Sequence, residues 1–219
     1  MYSKAIKKHK NRSAIWILIV IIIVILALAI LAISSSQAVG ISSSVNQSST
    51  FQILPGLQTG AFPWPAEIDS LKARLKDIGL PALSAEGTVL HIHQHLDIFI
   101  NGKLVPIPAG IGINQQQGFI SPVHVHDNTS VIHVESPTIQ TFTLGQFFDI
   151  WGVKFTNNCI GSYCTDGTNT LEVFVNGIKV STDFRGIALE AHQEIVIAYG
   201  TDAQLPKPLP STFDFPLGE

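Results

Sequence analysis

Between residues 90 and 100 the chain reads Leu-His-Ile-His-Gln-His-Leu-Asp-Ile-Phe-Ile, an alternation with the period of a β-strand. Successive strand side chains point to opposite faces, so His91, His93, His95 and Asp97 share one face. The other face, Leu90, Ile92, Leu96, Ile98 and Ile100, is apolar apart from Gln94 and can pack on a core. Six of the chain's eight histidines fall between residues 91 and 133. Imidazole is the commonest protein ligand for transition metals, so the alternation predicts a metal site built on strands.

The second histidine cluster is His124-Val-His126, then Asp127-Asn-Thr-Ser, then Val131-Ile-His133-Val-Glu135. If residues 127–130 form an even-numbered turn, paired residue numbers across the hairpin sum to 257. His124 then faces His133, His126 faces Val131, and all three histidines point to one side. Directly opposed Cβ atoms stand about 5 Å apart. From that frame imidazole nitrogens can reach one ion at about 2.0–2.1 Å. A three-residue turn would send His133 to the other face.

The leading ligands are His93, His95, His124, His126 and His133. His91, at the strand start, is a further candidate. Asp97, Asp127 and Glu135 are candidates either as ligands or as acceptors that fix an imidazole tautomer. The plainer reading of Asp127 is a turn former, and that of Glu135 a solvated strand-end residue. One His-x-His on a strand face is ordinary, whereas two clusters of three are not. Five or six imidazoles exceed a four-coordinate zinc, so either two ions bind or some histidines sit behind the ligands. Nitrogen-rich sites suit copper, zinc and nickel, and copper ranks first because it binds imidazole most tightly in that series.

Two histidines at i and i+2 plus one on a neighbouring strand is also how α-carbonic anhydrases hold zinc, but nothing else here is similar to that family. Cupins place a Glu about four residues after His-x-His, where this chain has Ser130 or Val131. A Met-ligated blue-copper centre is excluded, because Met1 is the only methionine and neither cysteine has a suitable histidine context. No Gly-rich loop of phosphate-cradling spacing is present, so no nucleotide is expected.

Residues 14–33 form an almost unbroken apolar run, long enough to span a bilayer core of about 30 Å as a helix. Lys4, Lys7, Lys8, Lys10 and Arg12 precede it, and no charge follows until Glu67. The positive-inside rule puts residues 1–13 in the cytoplasm and the rest outside. The rival reading is a secretory signal cut near Ala38, but an apolar run of this length favours a retained anchor. Of the 13 basic and 16 acidic residues, five basic ones precede the span, which leaves a net charge of −8 beyond it. Such a surface argues against nucleic acid. Outside the cytoplasm Cys159 and Cys164 are expected to form a disulfide, with a thiolate metal site as the alternative.

Residues 34–50 hold eight serines and read as a flexible tether. Residues 51–200 form one extracytoplasmic domain, and residues 201–219 a Pro-rich acidic tail lying extended on its surface. Ile68, Leu71, Leu75 and Ile78 predict a helix over residues 66–78. Asn101-Gly102 and Asn176-Gly177 predict hairpin turns, joining residues 96–100 to 103–107 and 171–175 to 178–180. Residues 123–126 and 131–135 make another hairpin, and residues 194–199 a last strand. Thr143 can cap a short helix that carries Leu144, Phe147, Phe148 and Trp151 and ends at Gly152. The fold class is α+β: a single N-terminal transmembrane helix, then a mainly antiparallel β domain of hairpins with one or two short helices. The order hairpin, helix, hairpin, strand makes its second half resemble a β-grasp.

Residues 79–87, His93-Gln-His95-Leu-Asp-Ile-Phe-Ile-Asn-Gly102, residues 107–112, His124-Val-His126-Asp127, Ile132-His-Val-Glu-Ser-Pro137 and residues 142–152 resemble motifs of a group of uncharacterised exported prokaryotic proteins, archaeal and bacterial. The resemblance covers roughly residues 66–200 and carries no established activity. Three functional readings follow from the residues. One is a membrane-anchored extracytoplasmic protein that binds copper or zinc, or serves as accessory to a membrane metalloenzyme beside other membrane subunits. Another is an enzyme whose metal activates water or oxygen. The last is a structural subunit without metal, in which Phe147, Phe148 and Trp151 matter more than the histidines.

Overall fold

The computed structural model describes residues 53–216. The basic stub, the anchor of residues 14–33 and the tether of residues 34–50 lie outside the described residues. Among the described residues no helix is long and apolar enough to cross a membrane.

The elements are α1 (Leu71–Asp77), β1 (Leu90–Ile100), β2 (Lys103–Val105), β3 (Ile113–Asn114), β4 (Phe119–Ile120), β5 (Val123–His124), β6 (Val131–Ser136), α2 (Leu144–Trp151), β7 (Cys159–Ile160), β8 (Tyr163–Cys164), β9 (Thr170–Val175), β10 (Ile178–Lys179) and β11 (Gln193–Gly200). Seven strands form one sheet in the order β10-β9-β11-β1-β6-β5, with β2 also on β1. Only the central β1–β11 pair is parallel, and the other pairs are antiparallel. Thus the α+β class with a mostly antiparallel sheet is what the chain adopts.

Both Asn-Gly turns form where their chemistry demands. Asn101 and Gly102, like Asn176 and Gly177, have positive φ, the requirement of the tight hairpin turn whose twist matches its strands. They join β1 to β2 and β9 to β10. Leu96, Ile98 and Ile100 point into the core, as the alternation requires. Helix α2 covers that face of the sheet, and Phe147, Phe148 and Trp151 are almost wholly buried in it. They are core residues of the domain.

The start of α2 is set by a reciprocal cap. Gln146 N–H donates to Thr143 Oγ1 at 3.3 Å, and Thr143 N–H donates to Gln146 Oε1 at 3.0 Å. Its end is set by Gly152 in the left-handed region. Thr143→Ala is expected to cost about 1 kcal/mol, measured as a shift in the urea midpoint.

Helix α1 is shorter than the spacing predicts. Residues 66–70 are held in a turn, because Ser70 N–H donates to the Glu67 carboxylate at 3.0 Å. The Ile68 carbonyl accepts from Asn114 Nδ2 at 3.0 Å. Arg74, fully buried on α1, donates to the Ile150 carbonyl at 3.0 Å and to the Pro55 carbonyl at 3.1 Å, and pairs with Glu67. It therefore closes the end of α2 from a neighbouring helix.

Cys159 and Cys164 face each other across β7 and β8 and are disulfide-bonded. The segment beyond Gly200 runs along the surface of the domain. After a 3-10 turn at Asp202–Gln204 it passes the β9–β10 turn and stacks Phe213 on His95, with ring centroids 3.8 Å apart.

Candidate metal centre

Strand pairing places three histidines in one row across β1, β6 and β5. His93 lies opposite His133, and His133 opposite His124. The His124 pairing obeys the sum of 257 expected from an even turn. On the next rung of β1 and β6, His91 lies opposite Glu135. Strand β5 stops at His124, so the expected rung between His126 and Val131 does not form. Val125 instead donates to the Ile111 carbonyl at 3.0 Å and accepts from Gly110 N–H at 2.9 Å. The loop approaches this closely because Gly112 has φ +77 and no side chain. A Cβ there would stand 2.7 Å from the Val123 carbonyl oxygen and 3.1 Å from His124 Cβ. His126 still joins the cluster, its ring centroid 4.6 Å from that of His133.

The nitrogens converge in pairs. His124 Nε2 and His126 Nε2 are 3.0 Å apart, and His91 Nε2 and His93 Nε2 are 3.1 Å apart. Two imidazole nitrogens on one tetrahedral ion, each at about 2.0–2.1 Å, would stand about 3.3 Å apart. His124 Nδ1 is 2.9 Å from the Ser121 carbonyl oxygen. A carbonyl only accepts, so Nδ1 carries the proton and Nε2 presents its lone pair to the cluster. That is the outer hydrogen bond that ligating histidines generally make.

Glu135, almost fully buried, stands between the pairs. Its Oε1 is 3.2 Å from His91 Nε2 and 3.4 Å from His133 Nδ1, and its Oε2 is 3.9 Å from His124 Nε2. His133 Nδ1 is buried without a hydrogen-bond partner. Glu86, from the loop before β1, brings Oε1 to 3.5 Å from His126 Nε2. Two groupings able to hold a metal result: His91, His93, His133 and Glu135, and His124, His126, His133 and Glu135. In each, the ligand atoms lie within 4.8 Å of one another.

Burial, followed by the charge of neighbouring imidazoles, lowers His93 to about 4 and His133 to about 3. Burial also lowers His124 to about 4, opposed by its bond to the Ser121 carbonyl and reinforced by nearby imidazoles. All three are neutral at pH 7 and offer lone pairs rather than charge. Burial, with Glu86 next, raises Glu135. The buried centre therefore meets solvent as neutral imidazoles around an acidic pair, with His91, His126 and Glu86 at the exposed rim.

Other expected site residues lie elsewhere. His95 belongs to a separate grouping with Asp97 and Glu194, its Nδ1 2.7 Å from Glu194 Oε2. Burial raises both Asp97 and Glu194. Asp127 is exposed and accepts from Thr129 N–H at 2.8 Å, which is the work of a turn former. Neither cysteine enters a grouping.

Sequence reasoning missed Glu86 and Glu194. Nothing near Glu194 in the chain marks it, because it reaches His95 through the parallel β1–β11 pairing. Glu135 did carry a signal, since it lies two residues after His133 and so on the same face. Comparison with family models, with curated proteins and with solved structures gives no match, so the functional reading stands on this geometry.

Proposed function

We propose that this chain is an extracytoplasmic metal-binding protein, held at the cell membrane by residues 14–33, that binds copper, or zinc as the next choice, through His124, His126 and His133 with Glu135. The observation that carries the reading is the 3.0 Å approach of His124 Nε2 to His126 Nε2, with the His124 proton held on the opposite nitrogen by the Ser121 carbonyl. Copper stands first because imidazole binds it most tightly among the divalent first-row ions.

Other parts of the proposal follow from the sequence. The anchor favours a role beside other membrane subunits, as accessory to a membrane metalloenzyme. The quoted motifs carry His93, His124, His126, His133 and Glu135, so the same site would extend to the exported prokaryotic proteins that this chain resembles. The parallel neighbours β1 and β11, with a helix between hairpins, support the β-grasp comparison.

A second reading, a metal-dependent enzyme, is favoured by one feature. The exposed Glu86 carboxyl stands beside His126 at the solvent side, where an acid–base group serving a metal-bound water would be needed.

The test is elemental analysis of the full chain, purified in detergent without a histidine tag, beside the His124→Ala/His126→Ala variant. Stoichiometric copper or zinc in the parent, loss in the variant of the equivalent held by His124 and His126, and an unchanged circular dichroism spectrum are expected. Saturating one site at about 100 times its dissociation constant should add about 2.7 kcal/mol of stability, so metal should stabilise the parent more than the variant. Equal metal content in both proteins, or none in either after loading, sinks the proposal.

A further inference from the structure

The metal-binding reading uses only one side of Glu135, and this inference rests on that reading. Across the carboxylate, His91 Nε2 and His93 Nε2 converge to 3.1 Å, as close as the pair on the β5 side. Two converging pairs, rather than one ring of four, is the arrangement that strand pairing builds. β1 contributes one pair, β5 and its following loop contribute the other, and β6 between them supplies His133 and Glu135.

The two carboxylate oxygens divide the same way. Oε1 faces His91, and Oε2 is the oxygen toward His124. The His133 ring stands between the pairs, its centroid 4.5 Å from that of His93 and 4.6 Å from that of His126. Its buried Nδ1 has no hydrogen-bond partner, a costly state for a polar atom that a cation beside it would relieve. Six residues in the two groupings exceed what one four-coordinate ion can use.

We infer that the chain binds two transition-metal ions, one on His124 and His126 and a second on His91 and His93, with the Glu135 carboxylate bridging them. His133 completes one of the two shells, and Glu86 stands within reach of the ion on His126. Two-metal sites with ions about 3.5–4 Å apart are a recurring arrangement in proteins, and a carboxylate between two histidine pairs is chemistry that suits it.

The test titrates the metal-freed full chain with Cu(II), reading bound metal by mass spectrometry and the copper by electron paramagnetic resonance. The parent should hold two equivalents and show a signal broadened by spin coupling. His91→Ala/His93→Ala and His124→Ala/His126→Ala should each hold one equivalent, with an ordinary mononuclear spectrum. Glu135→Gln should weaken the second equivalent at least tenfold and reduce the broadening. One equivalent in the parent, lost in the His124/His126 variant and kept in the His91/His93 variant, overturns the second ion and leaves the metal-binding reading intact. Two equivalents without coupling, unchanged in Glu135→Gln, overturn the bridge. No bound copper in the parent overturns both this inference and the reading beneath it.

Discussion

Metal-free protein is expected to lose several kcal/mol of stability between pH 6.5 and pH 4.5, enough to unfold a domain of ordinary stability. The cause is the histidine row. His93 and His124 are lowered to about 4 and His133 to about 3, whereas the same side chains in an unfolded chain titrate near 6.5. The folded values are depressed, so between those limits the unfolded state binds more protons. Stability is therefore fully present above about pH 6.5 and is lost as the pH falls toward the folded values. Each extra proton on the unfolded chain contributes a slope of about 1.4 kcal/mol per pH unit. The carboxyls of Glu135, Glu194, Asp97 and Asp149 act in the opposite direction, because burial raises them and the folded state takes up their protons first. They offset part of the loss. Urea midpoints of the metal-free chain at pH 7.5, 6 and 5 check the result. A midpoint that does not move between pH 7.5 and pH 5 would show that the histidine row carries no such penalty.

Trp151→Ala is expected to destabilise the domain by about 3–5 kcal/mol. The indole is 1% exposed at the end of α2. It packs on Phe148 at 5.7 Å, Phe147 at 5.9 Å and Trp64 at 6.1 Å between ring centroids. Its Nε1–H donates to the Pro65 carbonyl at 3.3 Å, so truncation opens a cavity and removes one of two donors to that carbonyl, Gln58 Nε2 at 3.0 Å being the other. Trp64 belongs to the lead-in segment before α1, so this one side chain ties that segment to the sheet-covering helix. Equilibrium urea unfolding measures the loss. The folded fraction should still bind metal with the parent's stoichiometry, because no residue of the histidine groupings touches the indole through these contacts. A loss below about 1 kcal/mol would mean that the surrounding aromatic rings close over the gap.

Several elements were legible because their causes are local. Asn101-Gly102 and Asn176-Gly177 supply the positive φ values that a tight hairpin turn needs, whatever surrounds them. Thr143, Gln146 and Gly152 set the limits of α2 within the ten residues from Thr143 to Gly152. The placing of His91, His93 and His95 on one face follows from strand period alone, and the His124–His133 rung follows from the parity of a short turn.

The difficulties began where a partner came from far along the chain. His95 shares the face of His91 and His93, yet its ring is taken by Glu194 and Phe213, which only the β1–β11 pairing and the path of the last segment bring near. Glu135 has the same alternation as His133, but its place between two histidine pairs comes from the β1–β6 register that sets it opposite His91. His126 lies beyond the end of β5, where Val125 bonds the Gly110–Gly112 loop through both its N–H and its carbonyl.

By itself, then, the sequence determined which residue types alternate on which strand faces, where the tight turns and the α2 caps fall, and that the histidines gather on two neighbouring hairpin segments. Only the tertiary structure decided that the gathering is two pairs about one buried carboxylate, with His95 excluded and Glu86 included. The physical reason is the range of the forces involved. Strand period, left-handed turns and helix caps are settled by backbone geometry over a few residues. The choice of strand partner is settled by how the whole chain buries Leu96, Ile98, Phe147, Phe148 and Trp151 together, and that burial has no local signature.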